Sequence, residues 1–150
     1  MKLTEHFNLD EFLVSKTYPE LLKNIHISDQ YKWNLFKLSA GLLEHIRKSV
    51  NRPITIVSGY RTPELNKRIG GRRDSQHLFG EAVDFVIIGS TGNVDQINMR
   101  RAIDYAKEHL IYFTGELIEY QDVSTIRFCH ISLPDPRWVS VFRVQKYDGK

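Results

Sequence analysis

A chain of 150 residues with 41% hydrophobic and 26% charged residues has the make-up of a soluble globular protein and the length of one domain, 1–150. A single cysteine excludes an internal disulfide framework, and no apolar run approaches the roughly 18 residues of a membrane span. The net charge of +3 suits a negatively charged polymer, but plain solubility explains it equally well.

The opening Met1-Lys2-Leu3-Thr4-Glu5-His6-Phe7 has no apolar h-region, so a secretory signal is not expected. The expectation is a chain made in the cytoplasm, with a role outside the membrane requiring some other export or release. Residues 8–14 read as a short helix, with Asn8 as N-cap and Leu9, Phe12 and Leu13 on one face. The longest helical pattern covers 29–50, where Trp33, Phe36, Leu42, Leu43 and Ile46 recur at helical spacing. Arg52-Pro53 stops it.

Ile54-Thr55-Ile56-Val57 is a β-branched run ending at Ser58-Gly59 and reads as a strand. Thr62 caps a predicted helix over 63–69, with Pro63 at its first position and Gly70-Gly71 ending it. After a polar loop and His77, residues 82–88 form the next predicted strand. A helix follows over 95–110, with Ile97, Ala102, Ile103 and Ala106 as its buried stripe. Strands near 116–120 and 126–133, and a last one over 139–144, complete the chain. This order predicts an α+β fold, a small antiparallel sheet packed against several helices.

The most informative residues are His77, Asp84 and His130. Two imidazoles and one carboxylate are the ligand set of a catalytic zinc, which keeps a position open for water. A structural zinc would need four protein ligands, usually thiolates, and Cys129 is the one thiol. The spacing from His77 to Asp84 fits a loop leading into a strand, with Gly80 supplying the turn. Asp84 is the one charge in Ala82-Val83-Asp84-Phe85-Val86-Ile87-Ile88, and a bound cation would compensate it. Two of them have a plainer reading: Asp84 at a solvent-facing strand end, His130 as a core histidine bonded to a backbone carbonyl. His6, His26, His45 and His109 lie among charged residues and read as surface positions.

The motifs Ser58-Gly59-Tyr60-Arg61, Leu65-Asn66-Lys67, Gly70-Gly71, Ser75-Gln76-His77 through Gly80-Glu81-Ala82-Val83-Asp84, and His130-Ile131-Ser132 together resemble the M15 family. These are zinc D-Ala-D-Ala carboxypeptidases and murein endopeptidases, and the likeness is to their short phage and bacterial forms. The opening Leu3-Thr4-Glu5-His6-Phe7 and Leu9-Asp10-Glu11-Phe12 also match such proteins. The resemblance implies zinc (Zn2+) held by His77, Asp84 and His130, and a substrate-binding role for Arg61. It implies a peptidoglycan stem peptide as substrate and, for a phage lysis enzyme, release through a separately encoded pore. A monomer is expected, with no nucleic-acid partner and no membrane span.

The general base does not carry over from the family. Several relatives place a Glu three residues before the last histidine, where this chain has Arg127. Others place a histidine five residues before it, where Thr125 stands. A hairpin centred near Val123 puts Glu116 opposite His130 on one face, with Glu119 facing away and pairing with Arg127. A one-residue slip exchanges the two. Glu116 is therefore the expected catalytic carboxylate and Glu119 the alternative. The missing base positions also motivate a second reading, a wall-binding or virion structural protein that keeps the fold without the chemistry. A third, nucleic-acid binding through Lys67, Arg68, Arg72 and Arg73, lacks any base-stacking motif, and a solvated basic loop explains those residues better.

Overall fold

The structure, a computed structural model, describes residues 1–137 and 139–149. Five strands, β1 (Thr55–Ser58), β2 (Ala82–Val86), β3 (Glu116–Asp122), β4 (Thr125–Ser132) and β5 (Val141–Lys146), form one sheet in the order β1-β2-β4-β3-β5. All neighbours pair antiparallel except β3 and β5, which run parallel. The fold is thus α+β, as predicted, with one correction at its edge. The connection after Ser132 leaves β4 beside the start of β3 and only steps over it. There Ser140 donates from its hydroxyl to the Thr114 carbonyl at 2.8 Å, and β5 starts opposite Glu116 and runs with β3.

One face of the sheet carries the helices. The predicted run over 29–50 is continuous: α1 (Asp29–Leu38), a wider π turn (Ser39–Leu43) and α2 (Glu44–Val50). Ser28 caps it, its hydroxyl accepting the Tyr31 N–H at 3.2 Å. The short α3 (Pro63–Arg68) begins as expected, with the Thr62 hydroxyl accepting the Leu65 N–H at 3.1 Å. The fourth helix, α4 (Gln96–Tyr105), continues through a π turn, Ala106–Leu110. Residues 8–14 form only one 3-10 turn, Leu9–Phe12.

Two expected core residues lie outside. Trp33 is 54% exposed and stacks on Phe36 at 5.1 Å, because Leu35, Leu38, Leu42 and Ile46 form the buried stripe of that helix. Ile97 is 75% exposed, and Met99 joins Ala102, Ile103 and Ala106 in the core instead. These helical residues pack on Val83, Phe85, Leu117, Cys129 and Ile131 of the sheet. Strand side chains alternate, so Asp84, Ile118, Tyr120, Phe128 and His130 project from the opposite face. That second face holds the chemistry.

Glu119 belongs to the helical side. It is buried, and its carboxylate accepts from Arg100 of α4 at 2.7 Å and from Gln121. Burial alone would raise its pKa, but the hydrogen bonds from Arg100 and Gln121 outweigh it and hold the carboxyl below its usual value. A lowered folded-state pKa contributes stability that is present above the unfolded value and lost as pH falls. Glu119→Gln should therefore cost about 1–3 kcal/mol at pH 7. In urea titrations the gap from wild type should close as pH falls below about 4.

Candidate metal centre

The second face is built from β2, β4 and the segment that precedes β2. Ser75 opens a 3-10 turn, Gln76–Phe79, which Gly80 ends in a left-handed conformation (φ 69°). A side chain at Gly80 would place its Cβ 2.8 Å from the Tyr31 carbonyl, so the tight turn predicted from sequence requires glycine. Asn34 of α1 donates to the Phe79 carbonyl at 2.8 Å, and Gln76 donates to Leu133 O at 2.9 Å. The turn carrying His77 is thereby tied to a helix on one side and to the end of β4 on the other.

Register brings the other two candidate ligands together. Asp84 of β2 pairs directly with His130 of β4, and Ser58 of β1 pairs with Asp84. His77 Nδ1 lies 2.7 Å from the Gly59 carbonyl and is its hydrogen-bond donor, which leaves Nε2 aimed at Asp84 Oδ1 at 3.4 Å. His130 Nδ1 is 2.8 Å from the same oxygen. One donor atom from each of His77, Asp84 and His130 lies within 4.8 Å of the other two. Both plainer readings fail: Asp84 is buried and does not face solvent, and His130 is not bonded to a backbone carbonyl.

The electrostatics follow from burial. Burial would raise the Asp84 pKa, but the His77 and His130 imidazoles beside it hold the carboxyl well below the usual carboxylate range. Burial pushes His77 down, with Asp84 opposing, so its ring is neutral and keeps a lone pair at Nε2. His130 Nε2 is buried and has no hydrogen-bond partner among the described residues. His77 Nε2 and His130 Nδ1 converge on Asp84 Oδ1, and two imidazole nitrogens with an ionised carboxylate are the donor set that a borderline-soft divalent cation satisfies. The Nδ1–H to carbonyl bond of His77 is the outer support that a metal-binding imidazole ordinarily has.

Arg61 lies where the sequence placed it, beyond the end of β1. Its Nη2 is 3.6 Å from Asp84 Oδ2, Nε donates to the Ser58 hydroxyl at 3.2 Å and Nη1 to Asn66 Oδ1 at 3.3 Å. Burial lowers its pKa while Asp84 raises it, and the guanidinium remains charged. Asn66 in turn donates to the Arg72 carbonyl at 2.8 Å, and a Cβ on Gly71 would collide with the Asn66 side chain. Sequence motifs contained Asn66 and Gly71; the structure supplies their purpose, which is to aim Arg61.

The hairpin differs from the expected register. Its loop is Val123-Ser124, closed by Asp122↔Thr125, and a bulge at Arg127 follows, so His130 pairs with Ile118 rather than Glu116. The two displacements of one residue cancel in parity. Glu116 still shares the face of His130, with Oε1 3.9 Å from His130 Nε2. Glu119 does not take part, and its expected partner Arg127 pairs with Asp122 at 3.9 Å instead. One neighbour had no signal in the sequence: Arg143 of β5, whose Nη2 is 2.9 Å from Glu116 Oε2. These groups line a cleft of about 440 Å³, with Tyr120, Phe128 and Tyr147 along one wall.

A family model for Peptidase M15 matches residues 5–115. The chain belongs to the Peptidase M15 family. Within the match lie Arg61, His77 and Asp84 of this M15 chain, while Glu116, His130 and Arg143 come after it. No curated protein matches the M15 chain. Among solved structures, the crystal structure of the Serratia marcescens L-Ala D-Glu endopeptidase ChiX is similar at 20% identity, covering 75% of this chain and 92% of that one, with a TM-score of 0.34.

Gly59 is a testable support of the centre. A Cβ there would lie 2.5 Å from the Phe12 carbonyl oxygen, so Gly59→Ala must shift the backbone that anchors His77. Urea denaturation of the metal-free protein should show a loss of about 1–3 kcal/mol. Gly41→Ala, in the long helix with nothing within 4 Å, should instead be neutral or gain up to about 1 kcal/mol.

Proposed function

We propose that this M15 chain is a zinc-dependent peptidase that hydrolyses peptidoglycan stem peptides beside a D-amino acid. The observation that carries the reading is the His77, Asp84 and His130 group, gathered in a cleft that also holds Arg61. The three residues would hold zinc, and zinc when bound supplies Lewis acidity toward a carbonyl and toward water. The remaining roles belong to side chains. Arg61, locked by Ser58, Asn66 and Asp84, presents a fixed cation toward the oxyanion that develops at the scissile carbonyl. Glu116 takes a proton from the attacking water and returns it to the leaving amine, the work of a general base and then acid. The Gly59 carbonyl keeps His77 in one tautomer and orientation. The cell wall, reached after release from the cytoplasm, is the proposed site of action.

The decisive assay is mass analysis of defined muropeptides after incubation with zinc-loaded protein. Cleavage next to a D-residue is expected; a loaded protein that cuts nothing across a broad panel returns the chain to the wall-binding alternative. Metal analysis tests the ligands separately. One zinc per chain is expected, and His77→Ala should lose high-affinity zinc while keeping its circular dichroism spectrum; full zinc retention removes His77 from the centre.

Arg61→Lys should bind zinc normally and lose about 10²–10³ in kcat, because an ammonium cannot reproduce the guanidinium fork. Wild-type turnover in that variant excludes Arg61 from the reaction.

A further inference from the structure

Glu116 is the first residue of β3, and its backbone is fixed before its side chain is. The Ser132 hydroxyl accepts the Glu116 N–H at 2.9 Å, and the Ser132 carbonyl accepts the Gly115 N–H at 2.9 Å. A Cβ on Gly115 would collide with the Leu133 carbonyl, so the chain passes close to the end of β4 at that point. The Glu116 carboxylate remains free to rotate about its own side-chain bonds. Left alone in a wet cleft, it would sample several rotamers, only some of which face His130.

Arg143 removes that freedom. In the parallel ladder Arg143 stands opposite Ile118, so its long side chain reaches back along the strand to Glu116. Nη2 holds Oε2 at 2.9 Å, which leaves Oε1 turned to His130 Nε2 at 3.9 Å. The two carboxylate oxygens thus have different neighbours, one a fixed cation and the other the candidate metal centre. Arg143 is 41% exposed on its side chain and Glu116 16%. A pair so open to solvent adds little to folding stability, so its consequence is geometric.

We propose that Arg143 is a positioning residue for the reaction, delivered by the parallel edge strand to hold Glu116 in reach of the scissile bond. This rests on the peptidase reading above and on the proton-transfer role of Glu116. Arg143 touches neither His77 nor Asp84 among the contacts of the site, and it acts through Glu116. The carboxylate keeps its proton-accepting oxygen on the cleft side because the other oxygen is occupied.

The test uses zinc-loaded full chain, with muropeptide kinetics for Arg143→Met, Arg143→Lys, Glu116→Gln and the double variant. Glu116→Gln should lose about 10²–10⁴ in kcat. Arg143→Met should lose up to about 10²-fold in kcat with KM unchanged, as expected when a catalytic group is misplaced rather than removed. Arg143→Lys should recover part of that loss. Adding Arg143→Met to Glu116→Gln should cost nothing further. A crystal structure of Arg143→Met should show the Glu116 carboxylate turned away from His130.

The proposal is overturned by a raised KM at constant kcat in Arg143→Met, by losses that multiply in the double variant, or by a Glu116 carboxylate unmoved in the crystal. Full activity in Glu116→Gln sinks the proton-transfer role and this proposal with it. An inactive Glu116→Gln with a fully active Arg143→Met sinks this proposal alone.

Discussion

The structure depends on one ionised carboxylate in the middle of a sheet. Asp84 lies on β2 between β1 and β4, buried, with apolar neighbours before and after it in the chain. A buried charge without partners costs far more than a small fold can spare, so its surroundings must compensate it. Arg61 does so from beyond β1 and His130 from β4, and the neutral ring of His77 meets the same carboxylate from the preceding turn. None of the three is adjacent to another in sequence. The sheet register makes them neighbours.

Compensation of Asp84 explains much of what surrounds it. Gly59 must be bare so that Phe12 can approach, and its carbonyl then holds His77. Gly71 must be bare so that Asn66 can reach Arg61. Gly80 closes the turn against Tyr31, and Asn34 fixes that turn to α1. The N-terminal segment, the long helix and the loop after α3 thus each brace a segment that carries or supports one of the side chains around Asp84.

Much of this was legible in the sequence, and the reasons for the rest are physical. Strands over Ile54-Thr55-Ile56-Val57 and around Asp84 announced themselves by β-branched runs, and Thr62-Pro63 marked α3 by its cap. The grouping of His77, Asp84 and His130 followed from residue type and from motif. The helical faces were misjudged where large aromatic or β-branched residues lie on the surface, because periodicity counts Trp33 and Ile97 as core regardless of what covers them. The hairpin was placed on the right face with the wrong partners, since neither the two-residue loop nor the bulge at Arg127 has a sequence signature here. Arg143 was invisible for a deeper reason: a parallel pairing between strands distant in sequence leaves no local pattern to read.

The parallel edge strand carries a consequence for heat. β5 leaves no side chain fully buried, and its backbone pairs on one side only, with β3. An edge attached in this way detaches at lower free energy than the core unfolds. Phe85, Leu117 and the helices would stay packed while Arg143 swung away from Glu116. Warming would then silence the molecule while it is still folded, and cooling would restore it without any refolding of the core.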